Sequence, residues 1–143
     1  ERCDRVYNWI VMLQPTSPLR KVQPVIDTIN KLLMCKYDSV LTVSETDSKS
    51  HPLKQLRLES ERVRYFDDAG KTIIARQQLE KLFHRNGVAY GMTRECLLDQ
   101  KVVIGNICGS VLIHEPVISI DTPLDLAYAN WLYANKGNIN SDI

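Results

Sequence analysis

The sequence predicts an α/β protein: a mixed sheet carrying helices, with a β-hairpin projecting from it as an arm. Three features carry this expectation. Tyr7–Leu13 (YNWIVML) is a short, nearly continuous apolar run, the pattern of a buried strand in a parallel sheet. Helical periodicity follows it, and then a β-branched run, giving strand–helix–strand. Further along, two stretches alternate polar and apolar residues about a two-residue break, as a half-exposed hairpin does.

The elements follow in order. Gln14–Arg20 (QPTSPLR) holds two prolines and two hydroxyls and reads as a loop. Pro24 suits a first helical turn, and Val25, Ile26, Ile29, Leu32 and Leu33 recur at helical spacing up to Cys35. Ser39–Val43 (SVLTV) is the second strand, so the crossover is expected to be right-handed. Lys54–Glu59 and Arg62–Phe66 form the hairpin about Ser60 and Glu61, and Asp67–Gly70 is a turn. Ala75–His84 is ambiguous; in a helix, Leu79, Leu82 and Phe83 would share a face. Asn86-Gly87 reads as a turn, Val88–Met92 as a strand, and Thr93 as the cap of a short helix through Leu98. Val111–Ile113 and Val117–Ile120 are two further strand candidates. Thr122, Pro123 and Asp125 mark a helix start, with its end expected near Gly137. Trp9 and Trp131 fall at expected core positions.

The chain is 143 residues, length for a single domain over 1–143, with the arm at about 51–75. Eighteen basic residues against 17 acidic ones leave no positive excess of the kind that drives nucleic-acid binding. The longest purely apolar run, Trp9–Leu13, is too short to span a bilayer, so no membrane partner is expected. Cys3, Cys35, Cys96 and Cys108 form neither a disulfide framework nor a zinc spacing, and read as reduced thiols of a cytoplasmic protein. His51, His84 and His114 are not spaced as metal ligands. A start at Glu1, in a polar stretch running into an apolar strand, leads us to expect a fragment or a processed product.

In open α/β sheets ligands sit beyond the carboxyl ends of the strands. Two loops are candidates for that position. Gln14, Thr16, Ser17 and Arg20 can present amide, hydroxyl and guanidinium groups to an anionic or polyhydroxylated ligand. Read alone, they more readily form a proline-stiffened connection whose hydroxyls cap the next helix. Asp121, between a strand candidate and a helix start, suits Mg²⁺, which takes one or two carboxylates together with water and phosphate oxygens. It equally suits simple stabilisation by the helix dipole. Arg57, Arg62 and Arg64 alternate with apolar residues, as on a solvated hairpin face.

Four segments occur in a telling order: LQPTSPLR at 13–20, HPLKQ at 51–55, RQQLEKLFHRNGVAY at 76–90 and SIDTPLDL at 119–126. Together they resemble the acylneuraminate cytidylyltransferases, the CMP-sialic acid synthetases, over about Trp9 to Tyr133. The resemblance implies a three-layer nucleotide-diphospho-sugar-transferase-like sheet, present here as its carboxyl-terminal portion, and a homodimer in which an arm of one subunit approaches the other's site. It implies transfer of CMP from CTP to a nine-carbon α-keto sugar acid, with Mg²⁺ and release of pyrophosphate. Gln14 then matches the family's sugar-binding glutamine. Lys54, placed on the hairpin, and Arg76 supply positive charge for the sugar carboxylate, chemistry that suits a fork and a point charge. Tyr90 lines the sugar pocket, Phe83 lines it or packs in the core, and Asp121 is the magnesium ligand; Arg76, Lys54 and Asp121 are the groups expected at the reaction centre.

The sequence departs from the family in several places. The first acid of the family's D-x-D is Ser119 here. Pro123 stands where sialic acid enzymes more often carry Glu, a drift toward enzymes for legionaminic acid or Kdo. Glu80 replaces a family proline. None of the glycines forms the basic, Gly-rich loop with which the family cradles CTP. The departures keep two other readings open: a catalytically silent sugar-binding or dimerising remnant, and a different nucleotide-sugar transferase on the same scaffold.

Overall fold

A computed structural model describes residues 6–135. These residues hold six strands, three α-helices and several short 3-10 turns. They divide into two compact units, one of residues 6–43 and 85–135, the other of residues 44–84. The second unit is wider than the arm expected at 51–75.

The first unit is built on a four-stranded sheet of order β1-β5-β2-β6, formed by β1 (Trp9–Met12), β2 (Ser39–Glu45), β5 (Phe83–Thr93) and β6 (Cys108–Leu112). β1 runs antiparallel to β5, with Met12 opposite Tyr90. β2 runs parallel to β6. Bonds from Thr93 N–H to the Asp38 carbonyl and from Ala89 N–H to the Thr42 hydroxyl run in opposite chain senses, so β5 is antiparallel to β2 as well. The sheet is therefore mixed, and β5 separates the two strands of the first strand–helix–strand unit.

This arrangement corrects the expectation for 7–13. The strand is an edge strand with an antiparallel neighbour, and Trp9 is 50% exposed. A short apolar run does not distinguish a central strand from an edge strand packed on one side. Trp131 is also half-exposed, stacked on Tyr128 at 6.3 Å rather than seated in the core.

Helix α1 (Val22–Met34) covers one sheet face, where Thr28 and Leu32 approach Gly91 of β5. On the other face Leu41, Tyr90, Met92 and Cys96 form a core cluster, flanked by Ile10, Val43, Leu97 and Val103. Burying side chains of this size stabilises by about 1.5–3 kcal/mol each. Cys96 belongs to α2 (Arg94–Leu98), which Thr93 caps by accepting from the Cys96 N–H at 3.1 Å. Burial pushes the Cys96 thiol up, with the Asp38 carboxylate adding to the effect, and the side chain packs in the core cluster. Cys35 and Cys108 are free thiols, and Cys3 lies outside the described residues.

Helix α3 (Pro123–Ala134) begins with the expected box. The Asp125 N–H donates to Thr122 Oγ1 at 3.3 Å, and the Asp125 carboxylate accepts from the Thr122 N–H at 2.8 Å. Asn135 is its C-cap; Gly137, where an end was expected, lies outside the described residues. Val117–Ile120 is not a strand. Its one tie to the Gln14–Arg20 loop is the Ile120 N–H bonded to the Thr16 carbonyl at 2.8 Å.

In the second unit the hairpin pairs β3 (Leu56–Glu59) with β4 (Arg62–Tyr65). Ser60, at φ 56°, turns the chain. Leu56, Leu58, Val63 and Tyr65 share one face, and Arg57, Glu59, Arg62 and Arg64 share the other. Every strand residue is exposed, more than the half-exposure expected. Arg57 and Arg64 face each other, an unfavourable pairing. It is offset by Arg57 lying 4.8 Å over the Phe66 ring and by an Arg64–Glu59 ion pair at 3.2 Å. The foot of the hairpin closes on Gly70, where a Cβ would meet the Leu53 carbonyl and the Tyr65 ring. Ala75–His84 is not helical. A 3-10 turn at Arg76–Gln78, held by the Gln78 carboxamide accepting from the Ile74 and Ala75 N–H groups, gives way to extended chain.

Candidate functional site

The loop after β1 is fixed from within. Ser17 N–H bonds to the Gln14 carbonyl at 3.2 Å, and the Arg20 guanidinium donates to that same carbonyl and to the Val88 carbonyl, the latter at 2.7 Å. Arg20 therefore braces the loop. The capping alternative fails, because Lys21 is the N-cap of α1 and supplies no side-chain bond. Ser17 is buried with its hydroxyl unpartnered.

The Gln14 side chain rests against Gly87. A Cβ at Gly87 would collide with the Gln14 carboxamide oxygen, and Gly87 sits at φ 77°, where a side chain is strained. This corrects the reading of Asn86-Gly87 as a turn. The pair lies within β5, an 11-residue strand. The positive φ that usually closes a hairpin here kinks a continuous strand. The Asn86 carboxamide oxygen accepts from the Thr42 hydroxyl at 2.7 Å and from the Val88 N–H at 3.2 Å. The Thr42 hydroxyl in turn accepts from the Ala89 N–H at 3.0 Å. A buried side-chain network thus replaces part of the strand ladder beside Gln14.

Two segments far apart in sequence, LQPTSPLR and F-x-x-N-G-x-x-Y, meet at the Gln14–Gly87 contact. Tyr90, three residues on, is 5% exposed and belongs to the core cluster of Leu41, Met92 and Cys96. Asp121 lies on the surface, its N–H bonded to the Asp125 carboxylate at 3.1 Å. Asp125 is fully committed. The Thr122 hydroxyl, with the N–H groups of Asp121 and Thr122, holds its carboxyl below the usual carboxylate range. Ser119 is exposed. No group of three or more His, Cys, Asp or Glu residues is placed to hold a metal among the described residues. Mg²⁺ does not require one: a single carboxylate serves when phosphate and water complete the shell. Asp121 fits that mode.

Lys54, Arg76 and Phe83 belong to the second unit. Lys54 closes a 3-10 turn, Pro52–Lys54, before the hairpin rather than on it. It is exposed, as is Arg76, whose guanidinium has no bonded partner among the described residues. Phe83 is 49% exposed at the start of β5, not packed in a core. Arg76 shares a cleft with His51, Ser48, Glu80 and Lys81.

Sequence reasoning missed Thr42 and the internal role of Arg20. The Thr42–Asn86 bond and the Arg20 bond to the Val88 carbonyl have no local signal, because each joins residues more than forty positions apart. Compared with protein-family models and with curated proteins, the chain matches none. Among the described residues no helix is long and apolar enough to cross a membrane.

Proposed function

We propose that this chain binds a nine-carbon α-keto sugar acid as part of a cytidylyltransferase, which joins the acid to CMP from CTP with release of pyrophosphate. The observation that carries the reading is the seat of Gln14 on Gly87. The two most distinctive motifs of the resemblance come together there, around an amide with no bonded partner among the described residues. In this reading the Gln14 amide orients the sugar, and Lys54 and Arg76, exposed in the second unit, are cations of the kind that take up a sugar carboxylate. Asp121 holds Mg²⁺, which when bound stabilises charge on the phosphates. The chain's own part is positioning: the loop bonds of Arg20 and the network at Thr42 fix where Gln14 stands. Turnover further requires a nucleotide cradle, such as a Gly-rich loop.

The same reading makes the protein a homodimer. The apolar hairpin face of Leu56, Leu58, Val63 and Tyr65 supports it, since that face is exposed and an isolated two-stranded hairpin is marginal in water. Calorimetric titration tests the proposal. N-acetylneuraminate should bind, and N-acetylmannosamine, a shorter neutral sugar without the carboxylate, should bind at least about tenfold more weakly, because charge-assisted hydrogen bonds are worth roughly 1.5–3 kcal/mol. Equal affinity for the two would contradict it.

A further inference from the structure

The second unit contains a buried group that the reading above does not use. His51 is 4% exposed, and its Nε2 has no hydrogen-bond partner among the described residues. Its other ring nitrogen is engaged: the Leu53 N–H donates to Nδ1 at 3.2 Å, closing the 3-10 turn that carries Lys54. With Nδ1 accepting, the ring proton of the neutral imidazole is on Nε2. The protein thus keeps a buried N–H donor unpaired, which ordinarily costs free energy and calls for a reason.

The surroundings supply one. His51 lines a cleft of about 530 Å³ together with Arg76, Ser48, Glu80, Lys81 and Glu45. Lys81 and Glu45 pair across 3.5 Å and cancel. That leaves the Arg76 guanidinium as a cation for a carboxylate, Glu80 as an acceptor for hydroxyls, and the His51 N–H as a neutral donor. Such a set suits a polyhydroxylated acid better than a bare anion: a phosphate would find one unpaired cation beside an unpaired carboxylate. The volume is within the roughly 300–1,000 Å³ of small-molecule sites.

We propose that His51 is a ligand-binding residue of this cleft, its Nε2–H donating to an oxygen of the sugar acid whose carboxylate Arg76 holds. This rests on the keto-sugar-acid reading and adds to it a donor and a place. The Nδ1 bond gives His51 its fixed orientation, and the Nε2–H gives it a ligand contact.

Two variants separate these roles. His51→Asn keeps an acceptor near the Nδ1 position and so keeps the turn, but lacks the donor at Nε2. His51→Gln restores an N–H near Nε2. The probes are N-acetylneuraminate, N-acetylmannosamine and inorganic phosphate, followed by the histidine-ring and backbone-amide signals in NMR titrations of the whole chain. N-acetylneuraminate should shift the His51 ring signals. His51→Asn should weaken its binding about five- to tenfold with an unchanged fold, and His51→Gln should recover part of that loss. Movement of the Gln14 and Gly87 amides, with a still His51 ring and unaltered binding by His51→Asn, would overturn this inference and leave the wider reading standing. Equal shifts with phosphate would also overturn it, by making the cleft a general anion site. Absence of any response to N-acetylneuraminate would overturn both.

Discussion

The two units differ in where their cationic and amide side chains are used. In the sheet unit polar side chains are spent on structure: Thr42 and Asn86 bond each other inside the core, Arg20 bonds two backbone carbonyls, and Asp125 accepts three hydrogen bonds at a helix start. In the hairpin unit the Lys54 and Arg76 side chains have no bonded partner among the described residues, and the strands are exposed on both faces. The comparison teaches that precision and charge are divided. The sheet unit holds one amide, Gln14, in a fixed seat, while the second unit leaves two cations, Lys54 and Arg76, in solvent.

The sharpest way to break that division is at Gly87. Gly87→Ala adds a Cβ against the Gln14 amide and forces a side chain into the left-handed region. It should destabilise the chain by about 1–3 kcal/mol, measured by urea unfolding, and weaken N-acetylneuraminate binding even in the molecules that remain folded. A smaller effect is expected at the third helix. Thr122→Ala removes a cap and should cost about 1 kcal/mol. The same box has a pH signature. The folded pKa of Asp125 is depressed, so its contribution is complete above the unfolded value of roughly 3.9 and is lost as pH falls through the lower, folded value. Thr122→Ala should therefore shrink the stability difference between pH 6 and pH 3. The smallest change in stability belongs to the hairpin. Leu58→Asp, at a side chain 74% exposed, should alter unfolding of the dissociated chain by no more than about 0.5 kcal/mol. Light scattering should nonetheless show a monomer where the proposal expects a dimer of the unaltered chain.

Much of the fold is legible in the sequence where the signal is local. The helix through Leu32, the strand at Ser39–Val43, the hairpin about Ser60 and Glu61, and the Thr122 box all depend on neighbours within a few positions. What is not legible is set by distant partners. The kink at Asn86-Gly87 looks like a turn because N-G dipeptides usually make one, and only Thr42 and Gln14 explain why the strand continues. Trp9 looks buried because an apolar run carries no record of which side of the sheet it closes. The candidate site divides in the same way. Residue types at Gln14, Lys54, Arg76 and Asp121 can be chosen from motifs. The internal use of Arg20, the core burial of Tyr90 and the unpaired Nε2 of His51 depend on packing.

The keto-sugar-acid proposal places the acid at Gln14, seated on Gly87. The most direct measurement is the N-acetylneuraminate titration followed at the Gln14 side-chain amide and the Gly87 backbone amide, with N-acetylmannosamine as the neutral control. Saturable shifts at both positions, much weaker for the control, are the predicted result. Unmoved signals at both positions with saturating acid would contradict the account.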